Sequence, residues 1–157
     1  MDVEDFLFEG VKNSIEAGCG SIVLSYREED DEVHVRITDD GKYEGGRDVF
    51  ASGCSTKGDN RGRGLSLLKS VCPDAALERK DGCTFLSYSY PLKLKTGLSS
   101  VLPFLFSMCF ASSVSLSVNI VRDGISSTFT SREMAQKGPL DRSGSIIRMK
   151  RDFEFFD

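Results

Sequence analysis

A carboxylate and a carboxamide stand four residues apart near the start of the chain, at Glu9 and Asn13. Leu7, Val11 and Ile15 recur every four residues around them, which predicts a helix over residues 3–17. On such a helix Glu9 and Asn13 project from one side, roughly opposite the apolar stripe. This pair can position a water molecule and bind a hard cation through oxygen. A solvated polar helix face is the alternative interpretation.

A second candidate group follows a predicted β-hairpin. Alternating apolar residues predict strands over residues 21–27 and 33–38, joined by the acidic run 28–32, which we interpret as a solvated turn. Asp39 and Gly41 come directly after the second strand. A carboxylate there can accept a hydrogen bond from an adenine amino group, and a glycine lets the backbone approach a ring closely. An ordinary acidic turn remains the alternative.

The long predicted loop over residues 39–63 is rich in glycine and poor in apolar residues. It contains Gly53-Cys54-Ser55-Thr56-Lys57-Gly58, and Gly62-Arg63-Gly64-Leu65 forms its junction with the next helix. A helix is predicted to follow over residues 64–72 and to end at Pro73. Its N-terminal amides and dipole favour phosphate. The pattern is neither a Walker A loop nor a Rossmann fingerprint. A flexible surface loop is the alternative.

Taken in order, these groups resemble the GHKL ATPase domain of gyrase B, Hsp90, MutL and histidine kinases. The resemblance covers about residues 3–92 and includes Gly82, in a later predicted turn, and Thr84, in the strand that follows it. The run Asn13-Ser14-Ile15-Glu16-Ala17-Gly18 is similar to the MutL version of the first box, and Gly62-Arg63-Gly64-Leu65 to that of a histidine kinase. Short stand-alone ATPase-like proteins often found beside iron-hydrogenase genes are the most similar members.

The resemblance implies ATP and Mg²⁺ as cofactors and a role for each matching residue. Asn13 would coordinate Mg²⁺, and Glu9 would activate the attacking water. Asp39 would accept a hydrogen bond from the adenine amino group, supported by Thr84 through water. Gly41 would pass the backbone under the ring. A lid over the phosphates would be formed by Ser55, Thr56 and Lys57. Backbone amides would bind the phosphates at Gly62, Gly64 and Leu65.

Two functions follow from this resemblance. The first is Mg²⁺-dependent ATP hydrolysis or phosphate transfer to a partner protein, with Glu9 as base. The second is a non-catalytic nucleotide- or protein-binding regulatory module. It is favoured by Tyr43, which stands where the family's first glycine box has its last glycine, and by the apolar C-terminal part. A complete histidine kinase is disfavoured, since His34, the chain's one histidine, lies in a predicted strand.

The expected fold is a two-layer α/β sandwich of the Bergerat type, with a mixed sheet covered on one face by helices. Residues 1–96 would form the ATP-binding domain, ending in a hairpin over 75–80 and 83–90 around Asp81-Gly82. Residues 97–157 would form a small α+β extension. In it we predict a buried helix over 98–111, a hairpin over 113–122 and 125–130, a short helix over 131–137 and a strand over 145–153.

The extension is rich in phenylalanine. Its rings are interpreted as core, or alternatively as an oligomer or partner interface, at Phe104, Phe106, Phe110, Phe155 and Phe156. A homo-oligomer or a protein partner bound through the extension is therefore one expectation.

Composition and charge bear on the partners, the cellular location and the state of the cysteines. The 157 residues carry a formal charge of −4, with 20 basic against 24 acidic residues, so nothing favours nucleic acid as a partner. The apolar stretches are too short to span a bilayer, and the acidic start does not resemble a secretory signal. Five cysteines without Cys-x-x-Cys spacing favour reduced thiols over disulfides or a zinc ribbon. We therefore expect a cytoplasmic protein that acts without membrane or nucleic acid.

Overall fold

A computed structural model describes residues 2–41 and 63–157. The helices are α1 (Val3–Glu16), α2 (Arg63–Val71), α3 (Leu102–Ala111), α4 (Ser131–Met134) and α5 (Ser143–Phe153). The strands are β1 (Ser21–Glu29), β2 (Glu32–Asp39), β3 (Ala76–Lys80), β4 (Cys83–Pro91), β5 (Ser115–Arg122) and β6 (Ile125–Thr130). Short 3₁₀ turns connect or extend several of them, at Leu92–Leu94, Leu98–Ser100, Ala135–Lys137 and Glu154–Phe156.

The six strands form one mixed sheet in the order β3-β4-β2-β1-β5-β6. All neighbouring pairs are antiparallel except β1 and β5, which run parallel from Ser21 opposite Ser115 to Arg27 opposite Val121. The predicted extension thus adds β5 and β6 to the same sheet as the first four strands, beside β1. Its division from residues 1–96 stays a prediction about domains, but the backbone ladder is continuous across it.

Three tight turns close the hairpins, and each has two residues in the left-handed region. The φ angles are 53° and 62° at Asp30 and Asp31, 53° and 78° at Asp81 and Gly82, and 54° and 75° at Asp123 and Gly124. Positive φ at both central residues defines a type I′ turn, whose twist matches that of the strands it joins. All three predicted hairpins are therefore confirmed, with turn residues of the expected type.

The core lies between the helices and one face of the sheet. Every second residue of the central strands is buried, including Leu24, Ile37, Leu86 and Val118. Residues on the opposite face, such as Val23, stay partly or fully exposed. This alternation confirms the two-layer arrangement with helices on one face. Helix α3 begins with Pro103 in its first turn, where a missing N–H is tolerated.

The prediction of a final strand over 145–153 is wrong. Residues Ser143–Phe153 form α5, with Ser145, Met149 and Phe153 buried at intervals of four. Phe153 stacks on Phe106 of α3 with ring centroids 6.0 Å apart. Packing against α3 therefore favours the helix, in which residues four apart share a face.

The aromatic residues of the extension divide between core and surface. Phe106 and Phe156 are buried, as predicted for core. Phe104, Phe110 and Phe155 are exposed, so their assignment to the core is wrong. The exposed fraction reaches 82% at Phe155. These three rings leave apolar surface on the outside of the extension.

The acidic run between β1 and β2 is only partly a solvated turn. Asp30 and Asp31 form the exposed turn, but Glu28 lies within β1 and its side chain is 9% exposed. Its carboxylate pairs with Lys95 at 2.6 Å and with Arg122 at 3.3 Å, and accepts a hydrogen bond from the hydroxyl of Tyr26. This network joins β1 to the segment after β4 and to the end of β5.

His34 and the described cysteines behave as predicted. His34 lies in β2, half-exposed, 3.5 Å from Glu32. Cys19, Cys72, Cys83 and Cys109 are free thiols. Across residues 2–41 and 63–157, no helix combines the length and apolarity needed to cross a bilayer.

Candidate functional site

Helix α1 lies across β2 and β4, and Gly10 is the closest point of approach. A Cβ at Gly10 would collide with the side chain of Ile37 and come within 3.2 Å of Leu86. At the C-terminal end of the helix, Ala17 contacts Gly41, whose own added Cβ would lie 3.0 Å from the Ala17 carbonyl oxygen. The lack of a side chain at Gly10 and Gly41 therefore brings α1 down onto the end of β2.

Asp39, Gly41 and Thr84 come together at this end of the sheet. Asp39 and Thr84 pair directly across the β2–β4 ladder, and each is only 6% exposed. The backbone N–H of Gly41 donates to Oδ1 of Asp39 at 2.9 Å. Among the described residues this is the one donor to the Asp39 carboxylate, so Oδ2 can accept a further hydrogen bond. A buried carboxylate is stabilised by further hydrogen-bond donors.

Arg79 belongs to the same group and was missed by the sequence reasoning. It lies opposite Thr84 in the β3–β4 ladder. One guanidinium nitrogen donates to the carbonyl oxygen of Gly41 at 2.7 Å and to Oγ1 of Thr84 at 3.2 Å. The register of the Asp81-Gly82 hairpin places residues 79 and 84 opposite each other, and that register was the signal available in the sequence.

The neighbouring carboxylate, Asp40, has different hydrogen-bond partners from Asp39. It is exposed and accepts hydrogen bonds from the backbone N–H groups of Gly20 at 2.7 Å and Ser21 at 3.1 Å. These hydrogen bonds hold the pKa of Asp40 below its usual value. Asp40 thus ties the start of β1 to the end of β2, while Asp39 faces the core.

Glu9 and Asn13 lie on α1, one turn apart, with Glu9 half-buried and Asn13 exposed. Neither side chain forms a hydrogen bond or an ion pair with another residue of the described part. They lie roughly opposite Leu7 and Val11, which are buried, whereas the buried Phe6 lies on their own side of the helix, three residues before Glu9. The predicted common side and the core stripe are confirmed; their chemical roles stay predictions.

Helix α2 corresponds to the helix predicted over residues 64–72, and the phosphate-binding role of its first turn stays a prediction. The helix begins at Arg63, so Gly64 and Leu65 lie in its first turn, where backbone N–H groups have no acceptor within the helix. The Leu65 side chain is 6% exposed and belongs to the core. Several predicted residues lie outside the described part of the chain, namely Tyr43, Ser55, Thr56, Lys57 and Gly62.

A thiol lies beside this site but is not reactive. Cys19, between α1 and β1, is buried, and burial followed by the nearby charges of Asp39 and Asp40 raises its pKa to about 11. A thiol with that pKa is protonated at neutral pH and a poor nucleophile. Among the described residues, no cluster of three or more histidine, cysteine or carboxylate side chains is arranged to hold a metal ion.

Comparison with known proteins bears on the fold. No family model matches the chain, and no curated protein does. A solved structure described as the N-terminal domain of a DNA repair protein is similar, with a TM-score of 0.61 and 15% sequence identity. The match covers 81% of this chain and 51% of that one, so this chain spans about half the length of its structural neighbour. The likeness establishes a shared α/β fold and nothing about activity.

Proposed function

We propose that this chain binds ATP at the ends of β2 and β4, between α1 and α2, as the GHKL resemblance implies. The observation that carries this proposal is the Asp39 carboxylate, which is 6% exposed and has one hydrogen-bond donor among the described residues. A buried carboxylate gains most from a further donor. The exocyclic amino group of adenine is a donor of the required kind.

The groups around Asp39 support the same assignment. Gly41 is buried against Ala17, so its backbone would form a side-chain-free floor for a planar ring. Arg79 fixes the Gly41 carbonyl oxygen and the Thr84 hydroxyl with one nitrogen. With Arg79 as donor, the hydroxyl proton of Thr84 stays available for a water molecule or a ring nitrogen.

The phosphates are assigned to the first turn of α2, where the backbone amides of a helix start and the helix dipole favour negative charge. Asn13 would bind Mg²⁺ through its side-chain oxygen. It fits this role because it is exposed and its side chain forms no hydrogen bond with a described residue. When bound, Mg²⁺ would neutralise charge on the phosphate oxygens, and it accepts few protein ligands beside phosphate and water. Glu9, one helical turn before Asn13, would accept a proton from the attacking water.

Calorimetric titration tests nucleotide binding. We expect the wild-type protein to bind ATP more tightly than inosine triphosphate, in which a carbonyl oxygen replaces the amino group. The difference should be roughly 10- to 100-fold, the value of a hydrogen bond to a charged acceptor. Asp39→Ala should abolish this discrimination. Asp40→Ala is the matched control, because it removes the adjacent carboxylate, which accepts hydrogen bonds from the backbone N–H groups of Gly20 and Ser21 and is not assigned to adenine.

Equal affinity for the two nucleotides in wild type would refute the role of Asp39 in adenine recognition. If Asp39→Ala and Asp40→Ala lose the discrimination between the two nucleotides equally, a disturbance of local folding explains the loss. Thermal unfolding followed by circular dichroism distinguishes a misfolded variant from a folded one. An Asp39→Ala protein that is folded but no longer prefers ATP over inosine triphosphate supports the site.

Turnover is tested separately through phosphate release. Glu9→Gln should lower the rate by about 10²-fold or more while the affinity for ATP changes little, as expected for a general base. Glu4→Gln, in the first turn of the same helix, is the matched control. If wild type binds ATP but releases no phosphate, the non-catalytic module becomes the better description.

A further inference from the structure

The two edges of the sheet differ in how they are protected. The edge strand β3 has three charged residues among its five, Glu78, Arg79 and Lys80. The opposite edge strand, β6, has the sequence Ile-Ser-Ser-Thr-Phe-Thr over Ile125–Thr130, with no charge and no proline. Proteins normally blunt exposed edges with charges, prolines or bulges, because unpaired backbone groups recruit further strands. The β6 strand contains neither a charged residue nor a proline to block such pairing.

The direction of the free backbone groups follows from the turn before β6. Asp123 and Gly124 both have positive φ, so Arg122 and Ile125 flank a type I′ turn and form a hydrogen-bonded pair. Hydrogen-bonded and non-bonded pairs then alternate along the ladder. The N–H and C=O groups of Ser126 and Thr128 therefore point away from β5, toward the open edge.

We propose that β6 pairs antiparallel with β6 of a second copy of this chain, centred on Ser127, so that two six-stranded sheets join into one. In this register Ser126 and Thr128 of each copy exchange backbone hydrogen bonds with Thr128 and Ser126 of the other. Ile125 lies opposite Phe129 of the second copy. Both face the helical layer, because Phe129 contacts Phe153 and Phe156. The interface is thus isologous, as in most homodimers.

Two strongly exposed apolar side chains lie at this edge. Ile125 is 70% exposed and Phe155 82%, the two highest values among the large apolar side chains of the described residues. Together with Phe156 and Ser127 they line a cavity of about 370 Å³ beside β6. A second strand along β6 would cover its wall at Ile125 and Ser127. Burial of these side chains adds a hydrophobic contribution to the backbone pairing.

Charges at the two ends of the strand are complementary in this register. Asp123, in the turn before β6, lies at the same end of the paired strands as Ser131 and Arg132 of the other copy, where α4 begins. Both Asp123 and Arg132 are exposed or half-exposed, and neither forms an ion pair with a described residue. The symmetric arrangement brings such a pair together twice. A neutral central strand with opposite charges at its ends fits a second copy of the chain.

Analytical ultracentrifugation over a concentration series tests the proposal. Wild type should sediment as a dimer of the 17.3 kDa chain. Ser127→Lys places two like charges directly opposite each other and should give monomers, as should Ser127→Glu. Ser127→Gln, long but neutral, is the matched control and should remain dimeric. An equimolar mixture of the Lys and Glu variants should restore a heterodimer.

Thr128→Pro supplies a second test, because it removes an N–H that points to the open edge and leaves the β5 pairing intact. It should also give monomers with an unchanged far-ultraviolet spectrum. A wild-type protein that stays monomeric overturns the proposal, as does dimerisation that survives Ser127→Lys. Failure of the Lys and Glu variants to pair with each other also contradicts the register. Should Thr128→Pro not fold, the Ser127 series decides alone.

Discussion

Replacing Glu28 by glutamine should destabilise the whole sheet far more than an ordinary surface substitution. The side chain of Glu28 is 9% exposed, that of Lys95 14% and that of Arg122 36%. Glutamine keeps the size of the side chain but leaves two cations close together without their counter-charge. Breaking a buried ion pair from one side costs about 3–5 kcal/mol. Because Arg122 retains contact with water, we expect about 3 kcal/mol.

Thermal unfolding followed by circular dichroism measures this loss. For a domain of this size each kcal/mol lowers Tm by about 2–4 °C, so Glu28→Gln should lower it by about 6–12 °C. Glu29→Gln is the matched control. Its carboxylate pairs with Arg27 at 3.0 Å, but both side chains are about half exposed, and such pairs contribute at most about 1 kcal/mol.

The double variant Glu28→Gln/Lys95→Met then identifies the cause. It should recover part of the lost stability, since it removes one of the two unpaired cations. If Glu28→Gln lowers Tm no more than Glu29→Gln does, the network does not stabilise the contacts of β1 with the segment after β4 and with the end of β5. The reasoning from burial would then be refuted.

Two further predictions concern packing. Gly10→Ala should lower the free energy of unfolding, measured by urea titration, by about 1 kcal/mol despite the better helix propensity of alanine, because the added Cβ collides with the buried Ile37. Gly144→Ala is the control and should be neutral or stabilising, because the space around Gly144 is open. Tyr88→Phe should be neutral or stabilising by up to about 1 kcal/mol, since the buried Tyr88 hydroxyl has no hydrogen-bond partner among the described residues. Tyr26→Phe should instead be destabilising, because its hydroxyl donates to Glu28; a larger loss for Tyr88→Phe than for Tyr26→Phe would contradict this assignment.

Local patterns were sufficient for most of the elements. Period-two alternation predicted β1, β2 and β4, and the Asp-Gly pairs predicted the turns at 81–82 and 123–124. These features depend on side-chain direction and on φ preferences within a few residues, which the sequence contains directly. The position of Asp39 at the end of β2 and of Gly64 in the first turn of α2 follow in the same way.

The grouping of the candidate site could be predicted only in part. Asp39, Gly41 and Thr84 were chosen by resemblance, and the ladder places Asp39 opposite Thr84. Arg79 was missed because its role depends on a carbonyl oxygen 38 residues away, at Gly41. A hydrogen bond between distant segments leaves no periodic signal along the chain.

The sequence by itself determined the alternating strands, the tight turns and the amphipathic first helix, because each arises from interactions between near neighbours. Tertiary structure alone decided that β5 lies parallel to β1, that residues 143–153 are helical and that Glu28 is buried between two cations. Parallel pairing and burial depend on which distant surfaces meet. Packing against α3 places Ser145, Met149 and Phe153 of the last helix in the core. The approach of Lys95 and Arg122 covers most of the side chain of Glu28, which was expected in a solvated turn.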